Sequence, residues 1–213
     1  ILDKVEGQLR IGASVGIGHE IPKLVLGQFM HQYPVINVQL NLINRRADLI
    51  EEGFDLLIRI GKLADSRLIA KRLGSISRKI YVSPDYLKQQ GSIKSIKQLS
   101  QCDFLLMGSV HSGGRFLIQS GEKQQEILVD PKLLVDDFLI LKQMVIEGLG
   151  VAIIPDYMCQ KELANGTLIQ VLPTWGMPNV DNFALYPKHR LKIPKVKAFM
   201  DFIQSVFTQR LTN

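Results

Sequence analysis

The chain has 213 residues, of which 46% are hydrophobic and 22% charged, the composition of a globular protein long enough for one large domain or two small ones. No apolar stretch is long enough to span a bilayer, and the first residues lack the basic and apolar segments of a secretion signal, so we expect a cytoplasmic protein. The net charge is +6, but the basic residues form short pairs in separate segments, which argues against direct contact with nucleic acid.

The cysteines and histidines do not form a recognisable site. Cys102 and Cys159 lie far apart and form no CxxC motif, so we expect reduced thiols. The four histidines show no metal-ligand spacing with one another or with the cysteines, and no dinucleotide-binding fingerprint is complete. We therefore predict no metal ion and no cofactor.

The first third of the chain predicts strands and helices in alternation. Residues 1–7 look like the end of a linker. They are followed by strands at 8–13, 35–42 and 54–60, by a helix from about His19 to Tyr33, and by a short helix at 46–52. This β-α-β-α-β order is typical of a doubly wound parallel sheet.

The next segment predicts a crossing between domains. Two extended runs, 66–73 and 77–82, flank Gly74, and a long extended connection is a natural way for a chain to pass from one domain to another. The patterns beyond them predict short helices at 84–90 and 96–99, a buried strand at 104–107, and a hairpin formed by 116–120 and 126–129.

Residues 134–155 predict a strand, a helix and a second strand in the order of a βαβ unit. Asp136 and Asp137 offer side-chain oxygens to the start of the helix, and Gly148 and Gly150 end it. Residues 151–154 are apolar on both faces, as expected of a parallel strand covered on both sides. Such a unit is either purely structural or part of a ligand site at the edge of the sheet.

The last part of the chain predicts a second crossing. A helix at 156–163 and a strand at 167–172 precede a proline-rich loop at 173–178, and a strand at 183–186 and a long helix at 193–211 follow it. We predict that subdomain I comprises residues 8–74 plus 179–213 and that subdomain II comprises residues 75–178. The cleft between two such lobes is the default ligand site.

Several segments, in this order, resemble the effector-binding (co-inducer-binding) domain of LysR-type transcriptional regulators. They cover nearly the whole chain and read GQLRIGAS, FMHQYP, GFDLLIRIGKLADSRLIAKRLG, YVSPDYL, VDDFLILKQMVIEGLGVAIIP and LYPKHRLKIPKVKAFMDFI. The resemblance implies an α/β fold of two Rossmann-like subdomains joined by two crossover strands, a clamp like that of periplasmic binding proteins.

The resemblance also implies a function and partners. A small effector, which we expect to be anionic, would bind in the inter-lobe cleft and control DNA binding and transcription. DNA would be bound only through a winged helix-turn-helix domain preceding residue 1, and the full-length protein would form homodimers or tetramers. The chain would then be a ligand sensor and not an enzyme.

Three candidate effector contacts lie in subdomain I. Ser14 and Val15 lie in the turn between the first strand and the first helix, where backbone N–H groups and a hydroxyl can bind an anion. The resemblance places this turn in the family's pocket. Arg59 lies at the end of strand FDLLIRI and could pair with a carboxylate through two hydrogen bonds. The alternatives are an ordinary turn serine and a structural ion pair.

Five further candidates lie in subdomain II. Gly108 and Ser109 end the buried strand FLLM, at a position that the family uses to touch ligand. Asp137 caps the central helix, Phe138 could form an apolar wall, and Gly150 could line the floor of the cleft. The alternatives are a loop role for the first two and plain capping for Asp137.

Two other functions, a hydrolase and a solute-binding protein, fit parts of the sequence. Residues 12–16, GASVG, fit the G-x-S-x-G of a hydrolase elbow, but no strands precede them, no HGGG oxyanion loop lies upstream, and His189 lies in a charged turn. We therefore predict no catalytic residue. A solute-binding protein of a transport system would have the same two lobes, but the absence of a secretion signal and the two unpaired cysteines argue against it.

Overall fold

The computed structural model of the chain describes residues 4–43, 52–61, 67–108 and 114–210. The strands are β1 (Gly7–Ala13), β2 (Ile36–Leu42), β3 (Leu56–Ile60), β4 (Leu68–Val82), β5 (Phe104–Met107), β6 (Arg115–Ser120), β7 (Lys123–Leu128), β8 (Pro131–Val135), β9 (Ala152–Pro155) and β10 (Ile169–Pro187). The α-helices are α1 (Val15–Gly18), α2 (Gly27–Gln32), α3 (Pro84–Gln90), α4 (Ile96–Leu99), α5 (Phe138–Ile146), α6 (Gln160–Ala164) and α7 (Pro194–Arg210). The helix predicted at 46–52 lies, but for its last residue, outside the described residues.

The chain divides into two compact units. Unit 1 contains Ile1–Ser75 and Val180–Asn213, and unit 2 contains Ile76–Asn179. β4 and β10 each contribute residues to both units, so the chain crosses from one unit to the other twice. Both units combine parallel strands, antiparallel strands and helices, which confirms the predicted α/β fold class.

Unit 1 contains strands in the order β2-β1-β3-β10, and β4 follows β10 in the sheet. β1 pairs in parallel with β2 along its whole length and with β3 as far as Ala13 opposite Ile58. β10 is antiparallel to β3, and Asn182 lies opposite Ile60. The carboxyl ends of the three parallel strands therefore lie at one edge of the sheet, and Asn182 lies at that edge as well.

The helices of unit 1 pack through aromatic rings. The ring of Phe29, from α2, lies 5.0 Å from the ring of Phe199 in an edge-to-face arrangement and 5.6 Å from that of Phe202, both from α7. The predicted apolar face of the C-terminal helix is confirmed, because its members are all fully buried: Val196, Phe199, Ile203 and Phe207. Their burial is the main attachment of α7 to the rest of unit 1.

Unit 2 contains the strands of the predicted βαβ unit. β9 pairs antiparallel with β4, with Pro155 opposite Arg78, and a parallel bridge joins the residue before β9 to β5. β5 pairs in parallel with β8, with Met107 opposite Val135. The carboxyl ends of β5, β8 and β9 therefore lie at one edge, which also includes the position of Arg78.

Both faces of the unit 2 sheet are covered. One face contributes Ile80, Phe104, Leu106, Val151 and Ile153 to a cluster with α3 and α4. The alternate residues, Tyr81, Leu105, Met107, Ala152 and Ile154, pack with α5 and α6. Residues 151–154 are all buried, which confirms that this apolar run is a strand covered on both sides.

The first helix differs from the prediction at its start and in its middle. The helical backbone begins at Val15 instead of His19, and it contains a π-helical segment, Pro22–Leu26, before α2. Pro22 has no backbone N–H, so the regular hydrogen bond to Gly18 cannot form, and the ladder continues with a wider turn.

The prediction of a loop at 173–178 is wrong, because these residues belong to β10, a strand of 19 residues. Proline is excluded from a strand only where its missing N–H is needed by a neighbour. In this stretch Gly176 lies opposite Gln119 of β6, and β10 is also a neighbour of β4 in the sheet. The extended runs at 66–73 and 77–82 likewise belong to one strand, β4, over its described residues.

Among the described residues, no helix combines the length and apolarity needed to cross a membrane. Within the same residues, no group of histidine, cysteine, aspartate or glutamate side chains is arranged to hold a metal ion.

Candidate functional site

Ser14 and Arg59 lie side by side at the carboxyl edge of unit 1. The backbone N–H of Ser14 donates to the carbonyl oxygen of Ile58 at 2.9 Å, which extends the pairing of β1 and β3 by one position beyond Ala13. Arg59 is the next residue of β3 and is half-buried. The structure thus brings together Ser14, Val15 and Arg59, the three candidate contacts of the first subdomain.

The Ser14 hydroxyl is not used to cap the helix that follows it. Ser14 precedes α1, and its carbonyl oxygen accepts from the N–H of Gly18 at 2.8 Å, but its side chain makes no capping hydrogen bond. Since α1 has only four residues, its dipole adds little to anion binding. The groups at this position that could contact a ligand are the Ser14 hydroxyl and the local backbone.

The glycines around Ser14 are explained by packing. A Cβ on Gly12 would lie 2.3 Å from Cδ2 of Leu57, and one on Gly18 would lie 2.2 Å from Cδ2 of Leu42. Close packing of β1 and α1 against these leucines therefore favours glycine. Packing thus explains the first glycine of the GASVG pattern without a nucleophile elbow.

Asp55 forms a charged cluster at the opposite edge of unit 1, which sequence reasoning missed. Its carboxylate accepts from the backbone N–H of Arg10 at 2.9 Å and from Nη1 of Arg190 at 2.9 Å, and Nζ of Lys195 lies 3.5 Å away. Asp55 is 3% exposed and precedes β3. The cluster fastens the start of β3 to the segment leading into α7, away from Ser14 and Arg59.

Asn182 is a second residue that sequence reasoning missed. It is fully buried, and neither Nδ2 nor Oδ1 has a hydrogen-bond partner among the described residues. It lies opposite Ile60, one position beyond Arg59 in the register of β3 and β10. Only the pairing of two strands far apart in sequence places this amide at the carboxyl edge, so no local signal could have found it.

Gly108 and Asp137 lie at the carboxyl edge of unit 2. The N–H of Gly108 donates to the carbonyl oxygen of Val135 at 2.7 Å, and Asp137 begins α5 two residues beyond Val135. Ser109 lies outside the described residues. The structure therefore brings together two of the five candidates predicted for the second subdomain.

Asp137 caps α5 as the sequence predicted. Its Oδ1 accepts from the N–H groups of Leu139 at 2.7 Å and Ile140 at 3.0 Å. These bonds satisfy two of the open donors at the helix start and place a negative charge next to them. This capping role occupies the helix terminus with the protein's own carboxylate.

Phe138 and Gly150 are placed differently from Gly108. Phe138 is 4% exposed and packs in the cluster of Leu141 and Val145. Gly150 precedes β9 at the amino edge, about 13 Å along this four-residue strand from the carboxyl edge. A Cβ on Gly150 would lie 2.2 Å from the carbonyl oxygen of Asp103, so close backbone packing explains this glycine.

Tyr81 and Asp156 add a polar contact where β9 ends. The Tyr81 hydroxyl donates to Oδ1 of Asp156 at 2.9 Å. Burial raises the pKa of Tyr81 above its ordinary value, and the Asp156 carboxylate raises it further. Tyr81 is therefore a neutral hydrogen-bond donor that holds Asp156 in place.

A family model described as the LysR substrate binding domain matches residues 3–208. The chain belongs to this family. It is 32% identical over 201 residues to an HTH-type transcriptional regulator of Xanthomonas campestris pv. campestris (strain 8004), covering 92% of this chain and 58% of that protein. It is 26% identical over 198 residues to the HTH-type transcriptional regulator PtxR of Pseudomonas aeruginosa, covering 93% of this chain and 64% of PtxR.

Solved structures show the same fold. The full-length structure of AphB, a Vibrio cholerae virulence activator of the LTTR family, superposes with a TM-score of 0.84 at 25% identity, covering 94% of this chain and 69% of AphB. The match shows that the chain shares the fold of the regulatory part of this protein. The chain spans less than two thirds of the length of the Xanthomonas and Pseudomonas regulators.

Proposed function

We propose that this chain is the effector-sensing part of a LysR-type transcriptional regulator. A small anionic effector binds in the cleft between the subdomains and shifts the regulator between two arrangements that bind DNA differently. The shift is limited by the difference in the effector's affinity for the two arrangements. DNA is contacted by a winged helix-turn-helix domain outside this chain.

One observation carries the proposal of an anionic ligand. Ser14 and Arg59 are neighbours where β1 and β3 end, inside a domain of the LysR family. The carboxyl edge of an open α/β sheet is where such folds bind ligands. A guanidinium donates two parallel hydrogen bonds to a carboxylate, and a serine hydroxyl adds a third donor.

The second subdomain contributes Gly108 and Asp137 in this proposal, together with Ser109. The backbone at Gly108 can approach a ligand closely, because its hydrogen atom leaves room where a side chain would stand. The Asp137 carboxylate is an acceptor, so a ligand contacting it must offer a donor there. Val15, Phe138 and Gly150 complete the predicted set, and Phe138 and Gly150 would contribute only through the small part of their surface that is not packed.

A homodimer is the proposed assembly. The resemblance implies that the first helix and the β2 edge of one subunit meet the central helix of another. Exposed apolar side chains lie on both surfaces: Met30, Val35 and Leu42 in unit 1, and Leu139 and Ile140 on α5 in unit 2. The Val35→Asp and Ile140→Asp variants should shift the chain towards monomers in light scattering, whereas an exposed polar substitution, Gln124→Asp, should not.

The transport alternative is not favoured. The relatives at 32% and 26% identity are transcriptional regulators, which supports a non-enzymatic, regulatory role. No feature of the described residues favours a solute-binding protein of a transport system over a regulator.

Thermal unfolding with candidate effectors tests the proposal. The probes are short mono- and dicarboxylic acids, aromatic acids and inorganic phosphate, each titrated against the 213-residue chain. A ligand of the folded state raises the unfolding temperature in a saturable way. Ser14→Ala and Arg59→Gln should reduce the shift, while the controls Ser205→Ala and Arg72→Gln should leave it unchanged. Equal shifts in all four variants would remove Ser14 and Arg59 from the site.

A further inference from the structure

Arg78 occupies the carboxyl edge of unit 2. It lies in β4 opposite Pro155, the last residue of β9. The residue before β9 bridges in parallel to β5, so Arg78 stands at the edge where Gly108 follows β5. Arg78 shares a sheet face with Ile80, whereas α5 packs against the other face.

The guanidinium of Arg78 is only partly satisfied. Its Nη2 donates to the carbonyl oxygen of Pro178 at 2.5 Å, and its Nε is buried without a hydrogen-bond partner. Among the described residues, no carboxylate forms an ion pair with it. Burial lowers the pKa of the guanidinium, because the charged form loses hydration that no anion replaces.

Three other arginines of the described chain have the carboxylate partner that Arg78 lacks. Guanidinium nitrogens lie within 3.0 Å of a carboxylate oxygen in the following pairs: Arg72–Asp181, Arg115–Glu126 and Arg190–Asp55. Arg10 has no such pair, but it donates to the carbonyl oxygen of Gly53 and lies over the ring of Phe54. A half-buried cation without such compensation is costly unless an anion joins it.

We propose that Arg78 is a further anion-binding residue of the effector site, contributed by unit 2 in addition to Arg59 of unit 1. The inference rests on the proposed function, since it assigns a residue to the same effector site. The Nη hydrogens that Pro178 does not engage can donate to the oxygens of a carboxylate or of another oxyanion. Arg78 would then select ligands by charge, and the neutral amide of the same acid would bind more weakly.

The test compares Arg78→Gln with Arg115→Gln, a matched loss of a guanidinium in the same unit. Arg115 is exposed and paired with Glu126, and it is not one of the candidate contacts. The probes are the carboxylic acid that stabilises the wild-type chain most, its primary amide, and inorganic phosphate. Dissociation constants are measured by calorimetry.

We expect Arg78→Gln to weaken binding of the acid about 10- to 100-fold, the effect of removing a charged hydrogen-bond donor. Its preference for the acid over the amide should fall by the same factor. Arg115→Gln should bind both probes as the wild type does. If the acid and phosphate give comparable losses in Arg78→Gln, the site recognises oxyanions in general.

Two results would overturn the inference. If the wild type binds the acid and Arg78→Gln binds it equally well, Arg78 is not a ligand contact, while the proposed function stands. A lower unfolding temperature of that variant would then show that Arg78 stabilises the fold through its hydrogen bond to Pro178. If no anion binds the wild-type chain, the anionic effector itself is wrong, and the inference fails with it.

Discussion

Asp55 and Arg190, which are 135 positions apart in the chain, form an ion pair of 2.9 Å in which the carboxylate side chain is 4% exposed and the guanidinium side chain 33%. The same carboxylate binds the backbone N–H of Arg10, so three distant segments meet at one buried charge. The contacts of Asp55 thereby connect the start of β3, the strand that carries Arg59, to the segment that leads into α7.

The Asp55→Asn variant should lower the free energy of unfolding by about 3 kcal/mol, because it leaves two cations facing an uncharged group in a buried setting. Arg190→Gln should cost less, since Arg190 is partly hydrated. Urea denaturation measures both. The control is Glu126→Gln at the exposed Arg115 pair, which should change stability by less than about 1 kcal/mol. An Asp55→Asn variant as stable as that control would contradict the structural role of the cluster.

The Asn182→Leu variant should raise the free energy of unfolding of the ligand-free chain by about 1 kcal/mol. A buried amide with two unsatisfied atoms carries a desolvation penalty, and an apolar side chain of similar volume removes it. The same denaturation experiment applies, with Asn182→Asp as a second variant that should be strongly destabilised by a buried charge. A destabilised Asn182→Leu would show instead that the amide holds a water or ligand.

The Gly150→Ala and Gly108→Ala variants should differ sharply. A Cβ at residue 150 would lie 2.2 Å from a backbone oxygen, which cannot move aside cheaply, whereas the nearest atom at residue 108 would be 3.5 Å away. We expect Gly150→Ala to lower the unfolding temperature by several degrees, on the scale of about 2 kcal/mol, and Gly108→Ala to change it little. Scanning calorimetry compares the two. Equal effects would contradict the close packing of residues 103 and 150.

The pair Lys142–Glu162 should contribute stability that depends on pH. Burial by itself raises the pKa of Glu162, but the hydrogen bond and charge of Lys142 outweigh it and hold the pKa below its ordinary value of 4.5. The contribution is therefore present above pH 4.5 and is lost as the pH falls through the lower pKa of the folded state. Glu162→Gln should flatten the fall in stability in this acid range, measured by urea denaturation between pH 3 and pH 6.

If the free energy of unfolding of Glu162→Gln falls with acid as steeply as that of the wild type, Lys142 does not stabilise the charged form of Glu162. A matched control is Glu147→Gln, whose carboxylate on the exposed end of α5 accepts only from Gln143 among the described residues. Its pH profile should match that of the wild type.

Local chemistry predicted much of the fold. The Asp137 cap, the buried run before Pro155 and the apolar face of α7 depend on residues within a few positions of one another, and the structure confirms each. The π-helical segment at Pro22–Leu26 and the strand through 173–178 were missed because a proline's effect depends on which neighbours need its N–H.

The candidate site was less accessible to sequence reasoning. Ser14 and Arg59 were found separately, but only the register of β1 and β3 makes them neighbours. Asn182 and Arg78 depend on long strands that pair with distant partners, so their polar groups carry no local signature. Gly150 resembled a lining residue because strand order, which decides the edge at which a residue lies, cannot be obtained from one segment.

Unit 1 is formed by two separate stretches of the chain, and this affects the order in which the units can fold during synthesis. Unit 2 is encoded by one continuous stretch, Ile76–Asn179, whereas unit 1 needs residues on both sides of it. Domains tend to fold as units in the order in which they are synthesised. Here the strands made first must wait for β10 and α7, so the middle of the chain is the first part that can complete its core, and the nascent β1–β3 segment depends on the last-made helix for its cover.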